Sequence, residues 1–125
     1  GDVYKRQTDV QRIGNWLKHE YEPSSGYCRE VIDVTIVKPL MTTGSVLDAD
    51  GVLVTKANVA NATYILMDDV DTNVAAGVSK RLVLARGPAK VAIEALVFAA
   101  DVLPADKAPA LAALKALGIM ADKQI

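Results

Sequence analysis

Arg81-Leu82-Val83-Leu84-Ala85-Arg86-Gly87-Pro88-Ala89 is the stretch on which the fold turns. Its first part is apolar at consecutive positions. An extended chain sends successive side chains to opposite faces, so Leu82 and Leu84 lie on one side and Val83 and Ala85 on the other. That pattern predicts a strand covered on both faces, deep in a sheet. Gly87-Pro88 then interrupts it. Proline has no N–H to give to a ladder, and glycine relaxes the backbone beside it. A bulge or corner is expected there, with strand resuming over residues 89–93. Residues 94–98 fit more than one conformation.

Upstream, residues 29–37 alternate, with Ile32, Val34 and Ile36 on one face and Val31, Asp33 and Thr35 on the other. This is the pattern of a half-buried strand, and Pro39 is expected to stop it. Gly44 and Asp50-Gly51 bracket two short apolar pieces, residues 45–47 and 52–55, with Asp-Gly as the turn signal. Residues 63–67 are β-branched and aromatic enough for another strand, and a polar turn follows over 68–73. Residues 75–78 are read as loop or a short strand. Downstream, residues 109–117 set Leu111, Leu114 and Leu117 toward the core between alanines. Gly118 is placed as the residue that ends this helix, and Ile119 can fold back on its last turn. Either Asp106 caps the helix, or Pro109 is its first residue. The fold class is therefore α+β: a small, mostly β domain of short strands, a mixed sheet with a Gly-Pro corner, and one C-terminal helix.

Residues 8–26 show no clean period and end in Glu22-Pro23-Ser24-Ser25-Gly26, a turn-rich break. They are read as an extended arm, with Trp16 and Leu17 its sizeable apolar pair. The expected division is residues 1–26 as arm and 27–125 as folded domain. Gly1-Asp2-Val3-Tyr4-Lys5-Arg6-Gln7 resembles translated sequencing-adapter read-through and is set aside from the fold reasoning. The arm carries too little apolar area to repay its ordering, about 1–2 kcal/mol per residue for backbone alone. It is expected to be mobile in the free protein.

With 125 residues, 51% of them hydrophobic, the chain is long enough for one domain with a real core. One Trp, four Tyr and one Phe leave most packing to Ala, Val and Leu. Fourteen basic residues against fifteen acidic give a net charge of -1, which is no electrostatic footprint for nucleic acid. Residues 39–80 hold five Asp and two Lys, whereas 81–125 hold six basic residues and four acidic. Such asymmetry suits surfaces that meet other proteins in a fixed orientation, or simply solvated loops. Cys28 is the single cysteine, so no intramolecular disulfide framework exists. The sequence has no run able to span a bilayer and no signal-peptide pattern, so neither a membrane nor a secretory route is expected. A soluble product of a reducing cytoplasm is the expectation.

Chemistry finds few footholds. His19 and Cys28 lie nine residues apart with no third orienting group evident, so an ordinary small thiol is the expected role of Cys28. Two such residues cannot make a zinc site unless chains share it. Asp69-Val70-Asp71-Thr72-Asn73 opens like a calcium loop, but Val74 stands where glycine is required and Lys80 where the bidentate Glu belongs. Asp68, Asp69 and Asp71 read as a solvated acidic turn. Asn61-Ala62-Thr63 matches a glycosylation acceptor, yet a three-residue match is cheap. No glycine pattern approaches a phosphate-binding loop. No enzyme activity, no cofactor and no metal are expected. A binding or structural protein remains.

Several segments now carry a specific likeness. Asn15-Trp16-Leu17-Lys18, Tyr27-Cys28-Arg29-Glu30-Val31 and Thr43-Gly44-Ser45-Val46-Leu47 resemble the opening of lambda-type bacteriophage head decoration proteins. Leu66-Met67-Asp68-Asp69-Val70-Asp71, Val83-Leu84-Ala85-Arg86-Gly87-Pro88-Ala89, Ala95-Leu96-Val97-Phe98 and the stretch from Ala110 to Ile119 are similar to later segments of that family, in the same order. The likeness runs from Asn15 to Ile119. It departs before Asn15, where the chain is longer than a compact arm needs, and over 58–64, where such proteins vary.

The resemblance implies a homotrimer on the outer surface of the virion capsid, bound to the major capsid protein of the expanded head, with no catalysis and no cofactor. The arm could add a strand to a sheet edge on the shell protein. Asn15, Trp16, Leu17 and Lys18 are the candidate capsid-binding residues, with Trp16 as anchor because aromatic residues dominate binding hot spots. Trp16 could instead pack on its own domain or on a neighbouring protomer. The alternative function is a receptor- or glycan-binding module of a phage tail fibre. That role would want exposed aromatic platforms, and the aromatic residues here are dispersed.

Overall fold

The Gly87-Pro88 break is a corner between two sheets. The computed structural model describes residues 13–37, 41–70 and 76–122. Its first elements are a short helix α1 (Ile13–Trp16), then β1 (Leu17–Glu20), β2 (Arg29–Ile36), β3 (Val46–Leu47) and β4 (Tyr64–Leu66). They are followed by β5 (Gly77–Leu84), β6 (Ala89–Ala92), α2 (Ala108–Ala116) and β7 (Ile119–Asp122). One sheet has the order β2-β5-β4-β3 and is antiparallel throughout. The other has the order β1-β6-β7, with β1 antiparallel and β7 parallel to β6. Strand β5 ends before the corner in the first sheet, and β6 starts after it in the second. The α+β class, the short strands and the single long helix stand as expected, with two sheets in place of one.

The double-sided pattern of residues 82–85 has a direct cause. Strand β5 is central, and each of its faces meets a different apolar cluster. Leu84 and Ile65 pack with Trp16, Val91, Leu114 and Ile119 between the two sheets and α2. Val83 and Leu66 pack with Val34, Ile36, Leu47, Met41 and Val70 on the opposite face. Strand β2 behaves as its alternation requires: Val34 and Ile36 are buried and Val31 and Asp33 exposed. It ends at Ile36; Pro39, the expected stop, lies outside the described residues, as do 71–73 of the polar turn. The Asp50-Gly51 turn is closed by Gly51 N–H on Asp48 O and Asp48 N–H on Val52 O, with Gly51 at φ +77°.

Residues 93–98 resolve into a 3-10 turn (Ile93–Ala95), followed by a parallel bridge from Val97 to Ser45. Strand β6 therefore stops one residue before the expected Ile93. A second 3-10 turn (Pro104–Lys107) leads into α2. Asp106 does not cap the α-helix: its carboxylate accepts the N–H of Leu103, capping the 3-10 turn, and α2 begins at Ala108. Leu117 was expected in the core and is 38% exposed; it sits at the C-cap, off the helical path, and Ala110 and Leu114 fill the buried positions. Gly118 ends the helix at φ +86°, donating to Lys115 O. Ile119 does more than fold back, because it opens β7. That strand is parallel to β6 and had no local signature beyond one buried Ile.

The second sheet is tied to the corner by two glycines. Gly87 donates its N–H to Leu117 O, and Ala89 donates to Gly118 O. A side chain on Gly87 would collide with the backbone carbonyl of Gly118. The two chains cross so closely that only a residue without Cβ fits.

Candidate functional site

The candidate capsid-binding residues lie at the root of the N-terminal segment, and the structure separates them. Trp16 is fully buried. Its Nε1–H donates to Thr43 Oγ1 at 3.0 Å, and that hydroxyl lies 3.2 and 2.9 Å from the carbonyls of Leu66 and Met67. Leu17 is half-buried against the same cluster and opposite Val91 in β6. Asn15 and Lys18 are exposed, and Lys18 Nζ reaches Gly14 O at 2.8 Å. Between Leu17 and His19 the register slips, which leaves Lys18 outside the regular ladder.

Two expectations change here. From Ile13 to Gly26 the chain is not an extended arm: it forms α1 and β1, then a turn closed by Ser25 N–H on Glu22 O and Gly26 N–H on Pro23 O. The folded domain thus takes in residues that the sequence placed before 27. Second, Trp16 is not an exposed anchor in the free chain but part of the core, the placement weighed beside it. The physical reason is the same in both cases. The polar residues around Trp16 hide how much apolar surface the indole buries against distant strands, and Thr43 supplies the partner that a buried indole N–H needs.

Strand β1 is held to β2 by charge. Arg29 forks onto Glu20, Nε to Oε2 at 2.9 Å and a terminal nitrogen to Oε1 at 2.5 Å. The carboxylate is 4% exposed and the guanidinium 31%. The hydrogen bond to Glu20 raises the Arg29 pKa above its ordinary value and outweighs the opposing effect of burial. A bidentate pair of this kind also fixes geometry.

An exposed aromatic corner escaped the sequence reading. Tyr21 and Tyr27 meet edge to face at 6.0 Å between centroids, and the Arg86 guanidinium lies 5.7 Å from the Tyr27 ring centre. Arg86 also reaches Glu30 at 3.3 Å and donates to Tyr27 O. Beneath them Cys28 is buried, its thiol 3.7 Å from the carbonyls of both Tyr21 and Pro88. Tyr21 N–H donates to Pro88 O at 2.8 Å. The turn over residues 22–26 brings the two rings together, and the pairing of β2 with β5 sets Arg86 against Tyr27, a contact that only the tertiary fold reveals.

Of the remaining polar residues, Asp68 and Asp48 have structural roles. Asp68 accepts the N–H of Leu82 at 3.0 Å, His19 is exposed on β1, and Asp71 lies outside the described residues. Asp48 accepts from Asp50 N–H, Val52 N–H and the Asn58 amide, so it builds the turn over residues 48–52.

Searches of curated proteins and of solved structures give no match to this chain. The family model of bacteriophage lambda head decoration protein D matches residues 7–119. The match takes in β1 to β6, the Gly87-Pro88 corner and α2, and ends at the first residue of β7. The chain belongs to the family of bacteriophage lambda head decoration protein D.

Proposed function

We propose that this protein binds the outside of an expanded phage head as a homotrimer and stabilises the shell against internal DNA pressure. The family establishes the coarser role, a structural one in decorating the capsid. What supports the finer reading is membership of the head decoration family over residues 7–119. A ligand that binds only the assembled, expanded lattice stabilises that state by mass action. Three copies arranged about a threefold site turn weak contacts into one strong attachment through effective concentration.

The capsid-facing element in this reading is the N-terminal segment, with Asn15 and Lys18 exposed at its root. Trp16 then acts indirectly. Buried and bonded to Thr43, it fixes where the segment leaves the domain, and the shell protein is met by residues around it. The test is cryo-electron microscopy of the purified protein mixed with expanded and unexpanded shells of its own phage. Threefold density on the outside of expanded shells alone is the expected result. Isolated monomers on the shell, or equal binding to unexpanded shells, would sink the proposal.

A further inference from the structure

A single exposed valine on a soluble surface needs no explanation. Here two stand on one face of one ribbon. Strands β2 and β5 pair over their whole length, with Val31 opposite Leu82, Asp33 opposite Lys80 and Thr35 opposite Val78. All six side chains project to the same side of the sheet, because alternate residues share a face. Toward Leu84 that side is covered by the core. Beyond it the cover ends: Val31 is 60% and Val78 67% exposed, and the side chains of Asp33 and Lys80 are 64% and 75% exposed. The face therefore presents one acid beside one base, 3.2 Å apart, between apolar corners.

That arrangement is complementary to itself. A second copy turned about a two-fold axis parallel to the strands places β2 over β5 in both directions. Asp33 then faces Lys80 of the second copy, Val31 faces its Leu82, and Val78 faces its Thr35. The same charges that form an exposed pair of little net value within one chain make two cross-contacts between chains, while apolar side chains close around them. The ribbon's other polar groups do not obstruct this: Glu30, Ser79 and Arg81 project to the opposite side, and Arg29, on the same side, is held by Glu20.

We propose that the exposed β2–β5 ribbon face, Val31, Asp33, Lys80, Val78 and their neighbours Thr35 and Leu82, is a docking surface for a second copy of this chain across a two-fold axis. It goes beyond the threefold attachment proposed above and does not depend on it: the contact would link trimers to one another, or monomers if no trimer forms.

Charge reversal tests it in a way that intrachain stability cannot imitate. Asp33→Lys gives a face with two positive charges, and Lys80→Asp gives one with two negative charges. Each variant alone should self-associate about tenfold more weakly than the unaltered chain, because like charges meet across the interface. An equimolar mixture of the two variants should associate at least as well as the unaltered chain. Val78→Asp should weaken association without changing the mass of any trimer. Sedimentation at low salt reads the contact as a doubling of whatever unit the chain forms, so a missing trimer and a missing two-fold contact look different. A mixture that associates no better than either variant alone overturns the proposal, as does an unaltered chain that never doubles at millimolar concentration.

Discussion

The corner at Gly87-Pro88 and the root at Ile13–Trp16 are both load points of the smaller sheet, yet one was legible and the other was not. The corner announces itself within two residues. Proline removes a ladder donor, glycine loosens the backbone, and both effects are local. The root and the start of β1 set Trp16 among Ile13, Gly14, Asn15, Leu17, Lys18 and His19, and nothing local says that the indole is inside. Its burial depends on Thr43, Val91 and Leu114, which lie far away in sequence. Local punctuation survives translation into structure, whereas long-range packing of a single aromatic residue does not show in a window of sequence.

Two substitutions press hardest on this comparison. Trp16→Ala should cost about 3–5 kcal/mol, the range for removing a large buried aromatic side chain. Were Trp16 an exposed anchor, the same change would leave the urea midpoint unmoved and weaken only shell binding. A deletion through Lys18 should be at least as damaging, since it also removes Leu17 from the ladder with β6. At the corner, Gly87→Ala should cost about 3 kcal/mol through the clash with the Gly118 carbonyl. Gly14→Ala, in the root, is the control: nothing lies within 4 Å of the added carbon, and it should change stability by about 0.5 kcal/mol or less. Equal effects at the two glycines in chemical denaturation would show that the corner is not tightly crossed.

The same contrast explains what else was and was not readable. Strands β2 and β4, the second half of β5, the Asp50-Gly51 turn and the Gly118 helix stop were expected because periodicity and turn chemistry act over a few residues; that β5 begins at Gly77 was not. Strand β1 and strand β7 were not. Each is four residues long and exists through pairing with β6, β7 in parallel. Short strands of this kind bury too little by themselves to leave a pattern. The Tyr21–Tyr27–Arg86 corner was missed for a related reason, since residues 27 and 86 meet only where the pairing of β2 with β5 runs on past the strand ends. Within the candidate capsid-binding segment, Asn15 and Lys18 are exposed while Trp16 is buried, a division that no short window of sequence shows.

The smallest effect concerns the link between these regions, the Arg29–Glu20 fork that ties β1 to β2. Arg29→Lys keeps the charge but loses the planar two-point geometry, because an ammonium is a point donor. Near neutral pH this should cost about 1 kcal/mol, for the Glu20 carboxylate is buried while its partner is partly solvated. The pH dependence carries the sharper sign. The folded-state pKa of Arg29 is raised, so its contribution is fully present below the ordinary arginine value and is lost only as pH climbs through the higher folded value. That window lies above any pH at which the protein would normally be studied. A lysine at the same position titrates from an ordinary value of about 10.4, raised in its turn by Glu20, so the variant should begin to lose the contribution as pH rises past that point. Denaturation curves at pH 7, 9 and 11 should therefore show a gap between the two proteins that widens at the highest pH. A constant gap would mean that the fork contributes geometry alone, and that β1 is held to the domain by Trp16 and the ladder with β6 without help from charge.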